Sequence, residues 1–322
     1  MADEVPVDEN SDEVTKSGVA SFNTKAAKAS QALDDEKRFK VVHFVRHGEG
    51  YHNIGFESLE DTHLTANGWS QAGKLQKHLN NLPKPLDLEV VIVSPLFRTL
   101  ETASGVFGGG TIDNGQKMLM LEQTPVHNEV TRHYAIAERP GVPFIANEQC
   151  RERMSLNRCD RRRNLSETAK NFPGVDFSLI EHENDVMWDL KHDEAVSAGA
   201  VGSRYFIGEK GDAVAERGMN FLKWVMDRPE KHLGVVSHCA FLHETLQAAA
   251  KDSPPELAQA LSRDFRNCEM RSVVFDKDGK PVEILKDTYY AGGAPRYYLF
   301  PLNWGKQAVG SLVGEVKKRV PW

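Results

Sequence analysis

Short apolar runs rich in β-branched residues recur along the chain between longer polar segments. The runs at 39–45, 88–93 and 232–237 have the length and composition of strands buried on both faces of a parallel sheet. A later run at 271–276 also has the character of a strand, and a short strand is predicted near 144–146. We therefore expect a central sheet made largely of buried strands.

Between these runs, apolar residues recur every three or four positions, which predicts amphipathic helices. The predicted helices are 66–80, a segment from Pro95 to Val106, 212–226, 241–251 and a short helix from Pro254. Thr65 is expected to cap the first of them, and the glycines 108–110 should end the second. Alternating strands and helices imply right-handed crossover connections and a mainly parallel sheet.

Residues 1–36 differ in character from the rest of the chain. Six acidic residues lie within the first 13 positions, whereas an organelle transit peptide is poor in acids. We interpret 1–36 as a flexible acidic leader and 37–322 as one domain with an insertion at about 108–147. The aromatic and basic segment from Tyr289 to Trp322 is expected to pack back across this domain.

Composition narrows the class of protein. The chain has 322 residues, 40% hydrophobic and 27% charged, with a formal net charge of −6. These values are typical of a globular protein and do not favour a nucleic-acid partner. No apolar run is long enough to span a bilayer. The cysteines at positions 150, 159, 239 and 268 form no CxxC pair, so we expect reduced thiols, no metal site and a cytoplasmic location.

Polar side chains follow three of the predicted strands at the point where each strand ends. Arg46 and His47 come after the first, Ser94 and then Arg98 after the second, and His238 after the third. Open α/β sheets place their chemistry at the carboxyl ends of strands. A neutral imidazole can attack phosphorus, and a guanidinium matches phosphate oxygens. Each residue alone is as well explained by an ordinary surface or core role, but together they indicate chemistry on a phosphate ester.

The motifs that carry these residues resemble the histidine phosphatase superfamily, also called the phosphoglycerate mutase-like superfamily, over about residues 40–250. They are Val45–Glu49, Asn53, Leu64–Gly68 followed by Gln71-Ala72, Ser94–Thr102 and Val235–His238. Three further segments are similar to the eukaryotic phosphoglycerate mutase-like group of plants and fungi: Cys150–Glu152, Cys159–Arg163 and Glu183–Trp188. The resemblance implies a three-layer α/β/α sandwich with a mainly parallel central sheet.

The resemblance also implies roles for individual residues. His47 would be the nucleophile, while Arg46, Arg98 and His238 would hold the transferring phosphoryl group, and Asn53 would add a phosphate contact. Negative charge spreads over the phosphoryl oxygens in the transition state, where stabilisation is most needed. Because the arginines supply positive charge, no metal and no cofactor is expected.

A carboxylic acid is needed to protonate the leaving oxygen and then to activate water. The resemblance implies that it lies after the Arg98 helix. Glu152 is the first choice by its position in the motif, and Glu148 is the alternative, because the insertion at 108–147 lengthens the spacing. His52 and His63 are interpreted as ordinary polar neighbours of the pocket.

A basic run also lies in this part of the chain. Its members are Arg151, Arg153, Arg158, Arg161, Arg162 and Arg163. Either these arginines form a solvated helix face or ion pairs with Asp160 and the acidic stretch near Glu181, or one or two of them reach a second anionic group on the substrate. The acidic net charge disfavours a nucleic-acid patch.

Three functions remain open at this point. The first is a metal-independent phosphatase acting on a phosphorylated small molecule through a phospho-histidine intermediate. The second is a cofactor-dependent phosphoglycerate mutase, and the third is a catalytically silent binding protein. After Cys150–Glu152 the chain continues Arg-Met-Ser, without the Arg-His-Tyr-Gly typical of those mutases, which favours the phosphatase. The number of subunits and the natural substrate are left open.

Overall fold

A seven-stranded sheet forms the centre of the protein, for which a computed structural model describes residues 39–113, 115–124, 131–197 and 208–293. The strands are β1 (Lys40–Arg46), β2 (Val90–Val93), β3 (Met118–Met120), β4 (Ile136–Ala137), β5 (Phe144–Ala146), β6 (Val175–Asp176), β7 (His232–Ser237), β8 (Met270–Phe275) and β9 (Pro281–Tyr290). The α-helices are α1 (Ala66–Asn80), α2 (Phe97–Phe107), α3 (Leu165–Asn171), α4 (Val186–Ser197), α5 (Gly211–Asp227), α6 (Cys239–Ala249) and α7 (Pro255–Leu261).

The order of strands in the central sheet is β6-β5-β2-β7-β1-β8-β9. The first five are mutually parallel, while β8 runs antiparallel to β1 and β9 antiparallel to β8. Strands β3 and β4 form a separate antiparallel pair within the segment 108–147. The mainly parallel sheet predicted from the apolar runs is therefore confirmed.

Apolar side chains cover both faces of the sheet and make two cores. One core packs α1 and α2 on one face, and the other packs α5, α6 and α7 on the opposite face. Strands β1, β2 and β7 are buried on both sides, which explains why they form continuous apolar runs in the sequence. The protein thus has the three-layer α/β/α arrangement that the resemblance implied.

The register of the parallel strands brings the chemistry to one edge. Arg46 lies opposite Ser237 on β7, and Val93 lies opposite Val236 on the same strand. Strands β1, β2 and β7 therefore end at the same level of the sheet, and the residues that follow them emerge side by side.

Most helix bounds match the predictions, and two are shifted. Helix α1 begins and ends as predicted, and the Thr65 side chain accepts a hydrogen bond from the Gly68 amide as its N-cap. Helix α2 begins at Phe97 rather than Pro95, because the buried Asp61 carboxylate accepts from the Phe97 amide at 2.8 Å. Helix α6 begins at Cys239 rather than Phe241, which makes His238 its N-cap.

Helix α4 and strand β9 were not predicted from the sequence. In α4, Val186, Trp188 and Leu190 are spaced every second residue, which is a strand pattern, and two of the three are exposed. Strand β9 is a largely exposed edge strand with no clean alternation of apolar and polar positions. The predictions for the leader and for the tail beyond residue 293 lie outside the described residues. Within the described ranges, no helix combines the length and apolar character needed to cross a membrane.

A buried histidine in β1 makes folding sensitive to pH. His43 is 1% exposed, and its Nδ1 lies 2.7 Å from the Ser272 hydroxyl oxygen on β8. Burial, and secondarily the nearby His232, lower the pKa of His43 from 6.5 to about 4. The folded protein therefore holds this imidazole neutral under conditions in which the unfolded chain protonates it.

Replacing His43 with leucine should weaken the acid sensitivity of folding. Between pH 6.5 and about 4, the unfolded chain binds a proton that folded His43 does not, so stability decreases as pH falls through this window. The contribution of His43 between pH 7 and pH 5 is about 2 kcal/mol. Urea denaturation of wild type and His43→Leu at these two pH values measures the difference. An equal loss of stability in both proteins would contradict the prediction.

Candidate active site

His47 is the first residue after β1 and is 1% exposed. Its Nδ1 lies 2.6 Å from the Gly48 carbonyl oxygen. A carbonyl can only accept, so Nδ1 carries the hydrogen and Nε2 keeps a lone pair. Burial, followed by the charges of Arg98, His52 and Arg46, lowers the pKa of His47 well below its usual value. The imidazole is therefore held neutral, as a nucleophile must be.

His238 follows β7 and faces the same space. Its ring centroid lies 5.2 Å from that of His47, and its Nε2 lies 2.8 Å from the Ser94 hydroxyl oxygen. Its Nδ1 is buried and has no hydrogen-bond partner among the described residues. Burial and then the charge of Arg98 lower the pKa of His238 well below its usual value. A second neutral imidazole thus lies beside the first.

Two guanidinium groups flank these imidazoles, and each is fixed by acceptors on one side. Arg98, in the first turn of α2, donates from Nη1 to the Cys159 carbonyl at 2.5 Å and from Nη2 to Asp160 Oδ1 at 2.9 Å. Arg46 donates from Nη1 to the Phe265 carbonyl at 2.7 Å. In both arginines Nε is buried without a partner among the described residues. These donors are suited to the oxygens of a phosphoryl group.

The two candidate acids have different surroundings. Glu148 forms ion pairs with two arginines. Glu148 Oε1 accepts from Arg162 Nε at 3.0 Å and from Arg151 Nη1 at 3.4 Å. Arg162 is fully buried, so removing its carboxylate partner would leave an uncompensated charge. Glu148 is therefore a structural partner of two arginines.

Glu152 has no ion pair within 4.0 Å among the described residues, and its Oε1 accepts two backbone hydrogen bonds. The donors are the Arg153 amide at 2.8 Å and the Phe241 amide, in the first turn of α6, at 3.2 Å. Burial and then the charge of Asp160 raise the pKa of Glu152 above its usual value, against the opposing charges of Arg98 and Arg46. A carboxyl group with a raised pKa holds its proton to higher pH than usual, as a general acid requires.

Asn53 is connected to His47 by Asn267, a residue that was not predicted from the sequence. Its Oδ1 accepts from the Gly50 amide at 3.0 Å and from Asn267 Nδ2 at 3.4 Å. Asn267, buried before β8, also donates to the His47 carbonyl at 3.1 Å. The carbonyl side of Asn53 is thus used within the protein, and its amide nitrogen has no hydrogen bond to any of the described residues. No local signal could have identified Asn267, because it lies 220 residues after His47.

The two histidines interpreted as polar neighbours have different positions. The His52 ring lies 5.2 Å from the His47 ring, and a Cβ atom at Gly50 would come within 2.7 Å of it. Glycine at position 50 therefore leaves room for this ring beside His47. His63 instead bonds Glu101 through Nδ1 at 2.6 Å, and contributes to the structure around α2.

The loop after His47 touches helix α1 backbone to backbone. A Cβ atom at Gly48 would lie 2.8 Å from the Gly68 carbonyl oxygen, and one at Gly68 would lie 2.1 Å from the Glu49 carbonyl oxygen. The Glu49 side chain also accepts from the Thr65 hydroxyl at 2.7 Å. These contacts hold the loop at the start of α1 and so set the position of His47.

Replacing Gly68 with alanine should displace this loop and lower kcat by at least about 10-fold, because small displacements of reacting groups are costly. Gly73 provides a matched control in the same helix, since a Cβ atom there would meet nothing within 4 Å. Gly73→Ala should keep wild-type turnover and stabilise the protein by up to about 1 kcal/mol. Turnover and thermal unfolding of both variants test this. Wild-type kcat in Gly68→Ala would refute it.

The basic run is engaged mainly within the protein. Arg151 bonds Asp185, Arg161 bonds Asp189 and Glu60, Arg158 bonds Glu60, Arg163 bonds Glu167, and Arg162 bonds the carbonyls of residues 182–184. Arg153 is the exception, because in the described part of the chain its side chain has no hydrogen bond or ion pair. Five of the six arginines are thus engaged within the protein, but mostly with partners other than those expected, and Asp160 bonds Arg98 and not the side chains of the run.

Similar solved structures include the alpha-ribazole phosphatase from Shigella flexneri, with 17% identity, a TM-score of 0.43 and coverage of 77% of this chain and 96% of that chain. Another is the native structure of a mycobacterial glucosyl-3-phosphoglycerate phosphatase. It has 16% identity, a TM-score of 0.41 and coverage of 80% of this chain and 100% of that chain.

Related sequences are more similar to this chain. A phosphoglycerate mutase-like protein of Arabidopsis thaliana is 36% identical over 274 residues, which cover 80% of this chain and 93% of the relative. Phosphoglycerate mutase-like protein 2 of the same plant is 35% identical over 281 residues, which cover 77% of each. The resemblance to this eukaryotic group, first seen in three short segments, thus extends over most of the chain.

A family model matches residues 42–113 and 162–288, and its description is Histidine phosphatase superfamily (branch 1). The matched ranges contain His47, Arg98 and His238, and together they make up more than half of the chain. Residues 114–161, which hold both candidate acids, lie outside the match. On the matched sequence and on the full-length relatives, the chain belongs to the histidine phosphatase superfamily.

Proposed function

We propose that the protein is a metal-independent phosphatase that hydrolyses a phosphomonoester of a small metabolite through a phospho-histidine intermediate. The observation that carries the proposal is the state of His47, a buried neutral imidazole whose Nδ1 is bound to the Gly48 carbonyl. Its Nε2 lone pair is available for attack on phosphorus. The positive charge that a metal would bring is supplied by Arg46 and Arg98.

In the first step, Nε2 of His47 attacks phosphorus and the bond to the ester oxygen breaks. Arg46, Arg98 and His238 donate hydrogen bonds to the phosphoryl oxygens as charge spreads over them. Glu152 gives its proton to the departing oxygen, so the alcohol leaves neutral. The product of this step is phospho-His47 with an ionised Glu152.

In the second step, water attacks phosphorus and the bond to His47 breaks. The Glu152 carboxylate takes a proton from the water, which restores the carboxylic acid and releases inorganic phosphate. The amide of Phe241 donates to this carboxylate at 3.2 Å from the first turn of α6, and so supports its ionised form between the two steps. Asn53 and His52 are proposed as further contacts to the phosphoryl group.

The bonds made by the arginines between residues 151 and 163 favour a phosphatase over a mutase. A phosphoglycerate carries a carboxylate as well as a phosphate, and needs a second group of cations. Five of the six arginines between residues 151 and 163 are already bonded within the protein. Among the described residues of this run, only Arg153 is left for a second anionic group.

Phosphate release from a panel of phosphorylated metabolites, with and without a chelator, tests the proposal. We expect release that the chelator does not change. Loss of activity with the chelator and its recovery with a divalent metal would contradict the metal-independent mechanism. Interconversion of phosphoglycerates without phosphate release would identify a mutase, and neither activity would indicate a binding protein.

A further inference from the structure

A buried polar network joins Arg151, the turn at residues 158–160 and the start of α4. Arg151 donates to both carboxylate oxygens of Asp185, at 2.6 and 2.5 Å. Its Nη2 also donates to the backbone carbonyl of Asp160 at 2.7 Å. The same Asp185 carboxylate accepts from the amides of Arg162 and Trp188, at 2.6 and 3.0 Å. The turn at residues 158–160 is thereby anchored from two directions.

This anchored turn directs the Asp160 side chain at the active site. Asp160 is 8% exposed, and both of its carboxylate oxygens are bonded. Oδ1 accepts from Arg98 Nη2 at 2.9 Å, and Oδ2 accepts from the Ser155 hydroxyl at 2.6 Å. The neighbouring Cys159 carbonyl accepts from Arg98 Nη1 at 2.5 Å. The turn thus holds both terminal nitrogens of the Arg98 guanidinium.

We propose that Asp160 is a positioning residue of the active site, which orients Arg98 towards the phosphoryl group and whose negative charge opposes those of the arginines near Glu152. The inference rests on the proposed function. Asp160 lies in the segment 114–161, which the superfamily model does not match, so this device belongs to the part of the chain that distinguishes it from the superfamily pattern.

The balance of charge around Glu152 explains why a second carboxylate is needed. The titratable and charged groups around Glu152 are Asp160 and Cys159 from the turn, Arg98 from α2, Arg46 from the end of β1 and Cys239 from α6. The two arginines favour the ionised carboxylate, and Asp160 opposes them. Burial is the largest cause of the raised pKa of Glu152, and Asp160 is the next. Without Asp160, the arginines that bind the phosphoryl group would also tend to deprotonate its acid catalyst.

Asp160→Asn tests the charge, because asparagine keeps the size and an oxygen acceptor for Arg98 while losing the negative charge. The decrease of kcat/KM at high pH should report deprotonation of Glu152. We expect this limb of the profile to move to lower pH in Asp160→Asn, because the pKa of Glu152 decreases when the neighbouring negative charge is removed. An unchanged limb in a folded variant would overturn the role in tuning Glu152.

Asp160→Ala tests the orientation of Arg98, because it removes the acceptor as well. We expect the affinity for inorganic phosphate, measured by calorimetry, to decrease by roughly 10- to 100-fold, as is typical when a supporting hydrogen bond is removed. Unchanged phosphate affinity would overturn the orienting role. If Asp160→Ala fails to fold, the same calorimetry on Asp160→Ser decides, since the shorter side chain also withdraws the acceptor from Arg98 while keeping a polar group at this position.

Glu60→Gln is the matched control. Glu60 is a carboxylate bonded to Arg158 and to Arg161, from the same turn, but not to Arg98. It should keep the wild-type pH profile and phosphate affinity. If wild type binds phosphate but releases none from any ester, the proposed function fails. The calorimetric comparison then still tests whether Asp160 positions Arg98.

Discussion

Replacing His47 with alanine should reduce phosphate release by at least about 10³-fold, the size of effect expected when a nucleophile is removed. The variant retains Arg46, Arg98 and His238, so binding of inorganic phosphate should persist while turnover is lost. Measuring phosphate release and phosphate affinity on the same preparations separates the two effects. Alanine is smaller than histidine, so a circular dichroism spectrum like that of wild type is needed to show that the fold is intact.

The intermediate provides a second test of the same residue. Wild type mixed with a ³²P-labelled ester and quenched rapidly should carry label that is stable to alkali and released by acid, as expected for a phosphoramidate. His47→Ala should carry none. His192→Ala, on the outside of α4, is the control and should behave as wild type. A labelled His47→Ala protein, or one that keeps half of the wild-type rate, would rule out His47 as the nucleophile.

Replacing Glu152 with glutamine should lower kcat by about 10²- to 10⁴-fold, which is the usual contribution of a general acid. The effect should be largest for alkyl phosphates, whose leaving oxygen requires a proton, and smaller for aryl phosphates with acidic leaving groups. Glutamine keeps the shape and one acceptor oxygen, so the bond from the Phe241 amide can persist. Steady-state kinetics on one alkyl and one aryl ester measure the contrast.

Glu148→Gln is the matched comparison for Glu152→Gln, because Glu148 is the other candidate for the general acid. It should keep most of the wild-type kcat but lose stability, because Arg162 is fully buried and gives up its charged partner. Thermal unfolding measures that loss. The reverse result, with full turnover in Glu152→Gln and none in Glu148→Gln, would transfer the acid role to Glu148.

The amino-acid sequence by itself determined where most of the proposed phosphoryl-binding groups lie. His47, Arg98 and His238 each follow a buried apolar run, and the carboxyl ends of parallel strands meet at one edge of a sheet. The order of short strands and amphipathic helices was sufficient for the fold class, because the period of apolar residues depends on local geometry. For the same reason the bounds of α1 and its N-cap, Thr65, were predictable.

The tertiary structure decided what depends on contacts between distant segments. The start of α2 is set by Asp61, which lies 36 residues before Phe97. The different roles proposed for Glu148 and Glu152 depend on which of them the buried Arg162 reaches, and no spacing along the chain shows this. Asn267 and Asp160 reach the site from loops 220 and 62 residues away from their partners. Periodicity identifies elements and their ends, whereas burial and pairing of charges are properties of the folded chain.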